Sequence, residues 1–255
     1  MNDASHPPGP LTLAIDIGGS RLKASVLAVT GRMIEQSNRV DTPHPAKPDA
    51  VVAALIELVK PLGAFDRISV GFPGVVRRGR VVTAPNLGTE DWHGYALTDE
   101  LQRRLDKPAR MLNDATVQGL GVISGRGLEC VITLGTGMGF ALFDRGYPAP
   151  HLELSQHPVH KDLTYDRWIG NAALHDIGPK RWNRRVRKAI GLIATLVNYD
   201  TLAIGGGNAK RIDFALPVGV RTVSNEAGIT GGIRLWDPSL DPLFVADDVM
   251  ALPAR

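Results

Sequence analysis

An acidic residue followed by two glycines is the feature of this chain that most suggests chemistry. Asp16 ends one apolar run, Gly18 and Gly19 follow, and a second apolar run begins at Leu22. A two-residue glycine link of this kind indicates a strand hairpin. Because glycine has no Cβ, the turn can bring bare backbone N–H groups against a bulky anion such as phosphate. Asp16 would then orient a hydrated Mg²⁺ beside that phosphate. A surface hairpin that binds no ligand explains these residues equally well.

Two further glycine turns occur in the second half of the chain. Gly135-Thr136-Gly137 separates strands predicted at 130–134 and 139–143, and Gly205-Gly206-Gly207 follows a strand predicted at 201–204. The Gly18-Gly19 turn and the Gly135–Gly137 turn each lie on a strand hairpin. This repetition suggests two lobes that close on one phosphate. Ordinary turns without a ligand are the alternative.

Asn113 and Asp114 follow a short apolar strand predicted at 109–112 and precede a helix. The carboxyl edges of strands line the ligand crevices of α/β proteins. A carboxylate at such an edge is suited to accept a proton from a bound ligand, and Asp114 is the candidate base. Aspartate also caps helices well, so a capping role is an alternative that is compatible with the catalytic one.

The elements that must position these residues form an α/β pattern with two similar halves. In each half, strands occur in hairpins before the helices begin, whereas a Rossmann fold alternates strand and helix from its start. The G-x-x-x-x-G-K-[ST] spacing of a P-loop is absent. Helices are predicted at residues 48–62, 98–105, 165–174, 179–198 and 226–235. We expect Thr98 to cap the second of these helices and Trp182 to lie in a buried stripe of the fourth.

Composition limits the class of protein. The 255 residues are 44% hydrophobic and 22% charged, which is typical of a soluble globular protein. No apolar run approaches the roughly 20 residues that span a bilayer. Residues 1–10 lack the hydrophobic segment of a signal peptide, so we expect a cytoplasmic protein without membrane contacts. The single cysteine, Cys130, excludes an internal disulfide and a multi-cysteine zinc site, and we expect a buried thiol.

Basic residues are clustered although the net charge is only +3. Two short stretches hold them: Lys180, Arg181, Arg184, Arg185, Arg187 and Lys188, and Arg77, Arg78 and Arg80. Cations in the first turns of the helix at 179–198 oppose its dipole, at a cost of roughly a few tenths of a kcal/mol each unless an anion lies nearby. An extended polyphosphate is one such anion, but a solvated face paired with surface acids is slightly favoured. Nucleic-acid binding is a weaker hypothesis, because no aromatic RNA-binding motif accompanies the charges.

Five segments, in this order, resemble the ROK family of sugar kinases. They are Asp16-Ile-Gly-Gly-Ser, Gly71-Phe-Pro-Gly-Val-Val, Leu112-Asn-Asp-Ala, Leu134-Gly-Thr-Gly-Met-Gly and Ile204-Gly-Gly-Gly. The resemblance runs from about residue 11 to 236 and includes the late Asn225-Glu-Ala-Gly-Ile-Thr-Gly-Gly segment. Within the family, the resemblance is closest to polyphosphate glucokinases, through the short chain, Ser20, Lys23, the 83–92 stretch and the absent zinc motif.

The resemblance implies a two-lobed α/β fold of the actin-like/hexokinase-like (ribonuclease H-like) ATPase class. We place a small N-terminal lobe at 1–113 and a larger C-terminal lobe at 114–235. The tail at 236–255 is either loosely held or packed back on the first lobe. The family also suggests a homodimer.

The implied activity is transfer of a phosphoryl group from polyphosphate, ATP or both to the 6-hydroxyl of glucose or a related hexose, with Mg²⁺ and without zinc. In that reaction, Asp114 takes the proton from the 6-hydroxyl. The implied hexose contacts are Asn86, Asn113, Asp114, Glu153 and either Gln156 or His157. The implied phosphate contacts are Asp16, Gly18, Gly19, Ser20, Lys23, Gly135, Thr136, Gly137, Gly205 and Gly206, with Asp16 also holding Mg²⁺ through water. Whether Lys23 points toward phosphate or toward solvent stays open.

One motif departs from the family. Its Glu-Leu-Gly-His segment, which binds the reducing end of the sugar, is Glu153-Leu154-Ser155-Gln156-His157 here. Either Gln156 replaces the histidine, or a local bulge lets His157 reach the sugar. The departure also leaves room for a catalytically degenerate sugar-binding or regulatory protein. A DNA-binding regulator is disfavoured, because the ten residues before Leu11 are too few for a helix-turn-helix.

Overall fold

Two five-stranded sheets organise the chain, one in each of two structural units. The computed structural model describes residues 9–34, 36–224 and 227–245. The first unit comprises the described residues up to Leu112 and from Ile229 onward, and the second runs from Asn113 to Gly228. The first boundary lies one residue from the predicted one. The second differs by seven residues, because the turns that follow Gly228 pack on the first sheet.

The first unit contains three helices and seven strands among its described residues. In chain order they are β1 (Thr12–Ile17), β2 (Arg21–Leu27), β3 (Asn38–Asp41), α1 (Pro48–Val59), β4 (Arg67–Phe72), β5 (Val76–Arg77), β6 (Arg80–Val81), α2 (Thr89–Trp92), α3 (Leu97–Leu105) and β7 (Ala109–Asn113). The sheet has the order β3-β2-β1-β4-β7, and β5 pairs with β6 in a separate hairpin. β1 is antiparallel to β2 and parallel to β4. The central strand β1 therefore lies between β2 and β4. Because β1 and β4 are parallel, the turn that follows β1 lies at the edge of the sheet where β4 also ends.

The second unit continues the chain with a similar sheet. Its elements are α4 (Asp114–Leu120), β8 (Leu128–Leu134), β9 (Met138–Asp144), β10 (Tyr147–Pro148), β11 (Pro158–His160), β12 (Leu163–Thr164), α5 (Tyr165–Ile169), α6 (Asn171–Val197), β13 (Thr201–Gly205), β14 (Val220–Thr222) and α7 (Ala227–Thr230). The sheet has the order β10-β9-β8-β13-β14, and β11 pairs with β12. β13 runs parallel to β8, so the two glycine turns that follow these strands leave the same edge of the sheet.

The core of the second unit confirms the expected buried stripe. Trp182, Val186, Ile190 and Ile193 are all buried on α6, and the indole N–H of Trp182 donates to the carbonyl of Ile169 at 2.8 Å. Cys130 is also buried in this core, as expected, and burial raises the pKa of its thiol to about 12.

The C-terminal segment packs on the first sheet. It forms 3₁₀ turns at Gly231–Trp236 and Pro238–Leu243. The hydroxyl of Ser69 on β4 donates to the carbonyl of Gly232 at 2.7 Å and accepts from the indole of Trp236 at 2.9 Å. Arg110 on β7 adds an ion pair with Asp241 at 2.8 Å. These bonds tie the described part of the tail to the first unit.

Several predicted element ends are wrong for local reasons. Thr98 is not an N-cap: α3 begins one residue earlier, and the Thr98 hydroxyl donates to the carbonyl of Gly79 at 3.0 Å. The helix predicted at 165–174 is broken at Gly170, where α5 ends. Gly178 has φ 73° and ψ 162°, because a residue that precedes proline avoids the helical region. α6 therefore restarts at Pro179.

Two other predictions concern the ends of the chain and the first hairpin. The helix predicted at 226–235 is a four-residue α-helix followed by a 3₁₀ turn, and Asn225 and Glu226 lie outside the described residues. The link between β1 and β2 contains Ser20 as well as the two glycines.

In the part of the chain that the structure describes, no helix is long and apolar enough to cross a membrane.

Candidate functional site

The first glycine turn is closed and anchored by backbone hydrogen bonds. The N–H of Gly18 donates to the carbonyl of Arg21 at 2.9 Å. Thr42, which directly follows β3, donates its hydroxyl to the carbonyl of Gly18 at 2.7 Å and its N–H to the carbonyl of Ser20 at 3.1 Å. Thr42 is 3% exposed. It fixes the turn from the neighbouring strand, and no motif in the sequence singled it out.

Asp16 and Lys23 face each other across the hairpin. The β1–β2 register pairs these two residues, and Lys23 Nζ lies 2.9 Å from Asp16 Oδ2. The Asp16 side chain is 18% exposed and the Lys23 side chain is 42% exposed. Lys23 therefore points to the Asp16 carboxylate beside the glycine turn.

The Asp16 carboxylate suits only one mode of Mg²⁺ binding. Among the described residues, no group of three or more His, Cys, Asp and Glu side chains is placed to hold a metal ion. Magnesium at phosphate-transfer sites is commonly held by one or two carboxylates, waters and the substrate phosphates. One carboxylate at the end of β1 fits that mode, although Lys23 shares its charge.

Asn86 lies beside the first glycine turn. A Cβ on Gly19 would come within 3.1 Å of the Asn86 Cβ, so this close approach depends on glycine at position 19. Asn86 and Ser20 are both exposed. The first unit therefore brings together a predicted hexose contact and three predicted phosphate contacts: Gly18, Gly19 and Ser20.

Asn113 and Asp114 have separate roles at the start of α4. The Asn113 Oδ1 accepts from the N–H groups of Ala115 at 2.9 Å and Thr116 at 3.3 Å, so Asn113 is the N-cap. Asp114 is the first helical residue, and its Oδ1 accepts from the Ala115 N–H at 2.8 Å. The capping alternative for Asp114 is therefore wrong, since its neighbour caps the helix.

Two N–H groups of the Gly135–Gly137 turn, those of Thr136 and Gly137, point in one direction, whereas the N–H of Gly135 donates to the carbonyl of Gly137 at 3.0 Å. The N–H of Asn171, at the start of α6, donates to the carbonyls of Gly135 at 2.9 Å and Thr136 at 3.2 Å. In a trans peptide the N–H points opposite to the carbonyl. The N–H groups of Thr136 and Gly137 therefore point away from α6, as an anion-binding turn requires.

The third glycine cluster packs against this turn. Gly206 has φ +87°, and a Cβ there would lie 2.5 Å from the backbone nitrogen of Leu134. The side-chain amide of Asn208 donates to the carbonyl of Gly135 at 3.3 Å, and its backbone N–H donates to Leu134 at 2.9 Å. The second unit thus brings the predicted phosphate contacts at 135–137 and 205–206 together. Asn208 joins them and was missed, because it follows the glycines without a motif of its own.

The Glu153 carboxylate is held by two neighbours. Its Oε1 lies 3.1 Å from His151 Nε2, and its Oε2 accepts from the Ser155 hydroxyl at 3.3 Å. The side chain of Gln156 turns to Asp166, to which it donates at 2.9 Å. His157 is exposed, and its backbone bonds to Leu154 and Tyr165.

Asp166 connects this loop to the Gly135–Gly137 turn. Its Oδ1 accepts from the Met138 N–H at 2.6 Å, and its Oδ2 accepts from Gln156. Burial raises the pKa of Asp166, the hydrogen bonds from Met138 and Gln156 oppose that rise, and the charge of Glu153 adds to it. The sequence offered no motif for Asp166, which lies in the first turn of α5.

The basic side chains of α6 do not match the favoured surface-acid interpretation. None of the six forms an ion pair with a described acidic side chain. Arg185 donates to the carbonyl of Trp168 at 3.1 Å. Arg185 and Lys188 lie 5.8 Å from the Trp168 ring, and Arg187 lies 4.6 Å from the ring of Phe214. Their charges are thus not neutralised by carboxylates in the described part of the chain.

Comparison with known proteins places these features in a family. Residues 12–148 match the model of the ROK family. A polyphosphate glucokinase of Mycobacterium tuberculosis (strain CDC 1551 / Oshkosh) is 29% identical over 249 residues, which cover 90% of this chain and 94% of the relative.

Two solved structures are also similar. The polyphosphate/ATP-glucomannokinase of Arthrobacter sp. strain KM superposes with a TM-score of 0.81 at 28% identity, covering 89% of this chain and 98% of the other. A glucokinase of Streptomyces griseus, solved with glucose and AMPPNP, gives a TM-score of 0.69 at 19% identity and covers 88% and 98%. The second likeness concerns the fold alone.

Proposed function

Since this chain belongs to the ROK family, we propose that it is a sugar kinase that transfers a phosphoryl group from polyphosphate, ATP or both to the 6-hydroxyl of glucose or a related hexose. The similar structures confirm the actin-like/hexokinase-like α/β fold that the sequence predicted. The relative and the first solved structure bear names that state polyphosphate-dependent activity on sugars. The observation that carries the proposal is the direction of the Thr136 and Gly137 N–H groups, which point away from α6. The Asp114 carboxylate supports it, because Asn113 and not Asp114 is the N-cap of α4.

Asp114 is the proposed general base. Because Asn113 caps α4, the Asp114 carboxylate is positioned by the helix start without being the group that stabilises it. It accepts the proton of the 6-hydroxyl as the oxygen attacks the terminal phosphorus of the donor. The bond from that phosphorus to the bridging oxygen breaks, and the shortened polyphosphate or ADP leaves with the electron pair. The amide nitrogen of Asn113, the Glu153 carboxylate and Asn86 hold the neighbouring hydroxyls, since these groups are suited to donate to or accept from a sugar. Such positioning is the main source of rate enhancement in phosphoryl transfer.

The glycine turns are the proposed phosphate cradle. The N–H groups of Thr136 and Gly137 donate to phosphate oxygens and stabilise the charge that develops on them. In the first unit the Gly19 N–H has this role, since the N–H of Gly18 is bound to the carbonyl of Arg21. Gly205 and Gly206 line the rest of the donor site. Mg²⁺ that arrives with the donor would be held through water by Asp16 and would offset phosphate charge. Lys23 adds a cation at the same place.

The basic face of α6 is the proposed contact for a polyphosphate chain. Six cations without carboxylate partners among the described residues attract a polyanion. Such an interaction weakens as salt screens it, over a distance of about 10 Å at 0.1 M ionic strength. A nucleotide donor does not need the length of this surface, so the two donors should differ in salt dependence.

The first test is a coupled assay of glucose 6-phosphate formation with Mg²⁺ and either polyphosphate or ATP. The Asp114→Asn variant should lose at least about 100-fold in kcat while it still binds glucose, because a general base contributes roughly 10² to 10⁴. Asp176→Asn, an exposed aspartate on α6, is the matched control. More than a few per cent residual turnover in Asp114→Asn would refute the base assignment.

The second test concerns the donor. Arg181→Glu combined with Arg184→Glu should raise the KM for polyphosphate and reduce its salt dependence, with the KM for ATP unchanged. Arg77→Glu combined with Arg80→Glu on the β5–β6 hairpin is the charge-matched control. If both donors respond alike, the α6 face is not a polyphosphate contact.

One observation favours a second function. Gln156 stands where the family motif has histidine, and its amide is bound to Asp166. A site altered in this way suits a protein that binds a hexose without phosphorylating it. Calorimetry that detects hexose binding, with no turnover under either donor, would support this second candidate.

A further inference from the structure

His151 is a partly buried histidine in contact with the proposed hexose-binding carboxylate. It lies two residues before Glu153, and its side chain is 12% exposed. Its Nε2 is 3.1 Å from Glu153 Oε1. Its Nδ1 is buried, and no described residue gives it a hydrogen bond. No sequence motif pointed to this residue.

The contact with Glu153 determines which nitrogen carries the proton. A carboxylate offers only acceptors, so Nε2 must donate to Glu153 Oε1. In the neutral imidazole, Nδ1 is then a lone-pair acceptor. Burying a polar atom without a partner is unfavourable, and an apolar side chain would fill the same space without that loss. The Nε2 donation to Glu153 is therefore the contribution that a histidine makes here.

Both oxygens of the Glu153 carboxylate are fixed within its own loop. His151 donates to Oε1 and Ser155 donates to Oε2. Neither of the two residues that could replace the histidine of the family motif donates to the Glu153 carboxylate. Gln156 donates to Asp166, and His157 is exposed. A carboxylate held at each oxygen has one orientation, and its remaining lone pairs have fixed directions for sugar hydroxyls.

We propose that His151 is a positioning residue for hexose recognition, which holds the Glu153 carboxylate through its Nε2 proton. The inference rests on the proposed function, in which Glu153 contacts the hexose. In this chain, the histidine that supports the sugar site precedes the glutamate instead of following it. Without the Nε2 donor, the carboxylate rotates among several orientations, and the hexose must select one of them on binding.

Three substitutions at position 151 test which atom matters. His151→Gln places an amide nitrogen near the Nε2 position, whereas the shorter His151→Asn reaches only the Nδ1 position. We expect His151→Asn and His151→Ala to raise the hexose KM and calorimetric Kd about tenfold or more, as for loss of a hydrogen bond to a charged group. The kcat should change by less than about twofold, and His151→Gln should restore most of the affinity. His175→Ala, an exposed histidine on α6, is the control.

A double-variant cycle completes the test. Glu153→Gln should weaken hexose binding, and adding His151→Ala to it should cause little further loss, because the histidine acts through the carboxylate. Equal losses in His151→Gln and His151→Ala, or a fall in kcat with an unchanged KM, would overturn the proposal. So would additive effects in the cycle. Unchanged affinity in all three variants of a wild type that binds hexose overturns this inference alone. Absence of both hexose binding and turnover in the wild type overturns the proposed function as well.

Discussion

Gly137→Ala is a substitution whose effect can be worked out from the distances around one carboxylate. A Cβ at position 137 would lie 2.5 Å from Asp166 Cγ and 2.7 Å from its Oδ2, whereas ordinary contact begins at 3.4 Å. The backbone of Gly137 does not have a positive φ, so alanine is not strained by its backbone. The clash with Asp166 alone decides the outcome.

The carboxyl group must move by about 0.9 Å to relieve this contact. If the carboxyl group moves along the hydrogen bond, the 2.6 Å distance from Met138 N–H to Asp166 Oδ1 lengthens to at most about 3.5 Å, where little hydrogen bonding remains. A hydrogen bond to a charged group contributes about 1.5–3 kcal/mol. Replacing glycine by alanine also lowers the conformational entropy of the unfolded chain, which stabilises the folded protein by about 0.4–1 kcal/mol. We therefore expect a net loss of about 0.5–2.6 kcal/mol in the free energy of unfolding, or roughly 1–10 °C in Tm.

Thermal and urea unfolding of the full chain measure this loss, with Gly135→Ala as the matched control. A Cβ at position 135, in the same turn, has nothing within 4 Å, so Gly135→Ala should keep the stability of the wild type. It should still raise the donor KM if the turn holds phosphate. Asp166→Ala added to Gly137→Ala should cost much less than Asp166→Ala alone, because the bond that it removes is already lost. Equal Tm values for the two alanine variants would refute the reasoning from Asp166.

Two other predictions concern stability and thiol chemistry. Asn113→Ala should lower the free energy of unfolding by about 1 kcal/mol, whereas Asn113→Asp should retain the cap. Urea unfolding of both variants separates this capping role from the role proposed for Asp114. Cys130 should resist thiol reagents in the native protein and react at the unfolding rate, since its pKa of about 12 leaves almost no thiolate. Because its ordinary pKa is 9.0, ionisation favours the unfolded state between pH 9 and 12, and Cys130→Ala should lack that part of the alkaline loss of stability. Fast labelling of folded protein near pH 8 would contradict a buried thiol.

The strands and the buried stripe were predictable because they depend on short-range patterns. Trp182 recurs with other apolar residues at helical spacing, and its burial follows from that period. Thr98 shows the limit of the same approach. A threonine before two acids is a good capping signal, but the carbonyl of Gly79, nineteen residues away in sequence, takes its hydroxyl. Tertiary hydrogen bonds of this kind leave no local signal.

Lys23 illustrates a second limit, which is strand register. Alternation along β2 gives the face of a residue but not its partner. The partner depends on the number of residues in the turn, and a shift of one residue moves every side chain to the other face. The turn includes Ser20 beyond the two glycines, and the observed register pairs Lys23 with Asp16. Only the folded hairpin shows that the lysine and the acid contact each other beside the first glycine turn.

The altered hexose motif shows why residue identity at one position is an incomplete guide to a site. The sequence left two options, Gln156 or His157, and both concern which side chain replaces the missing histidine. In the structure, Gln156 is bound to a carboxylate that also accepts from the backbone beside the Gly135–Gly137 turn. One buried aspartate therefore joins the loop that carries Glu153 to the turn proposed to hold the donor. Its Oδ1 accepts from the Met138 N–H beside Gly137, so a hexose that displaces Gln156 would remove the donor to Oδ2 and change the hydrogen bonding of the carboxylate that contacts this turn. Hexose and donor affinities should then be coupled through Asp166, and by the reciprocity of linkage each ligand should change the affinity of the other by the same factor.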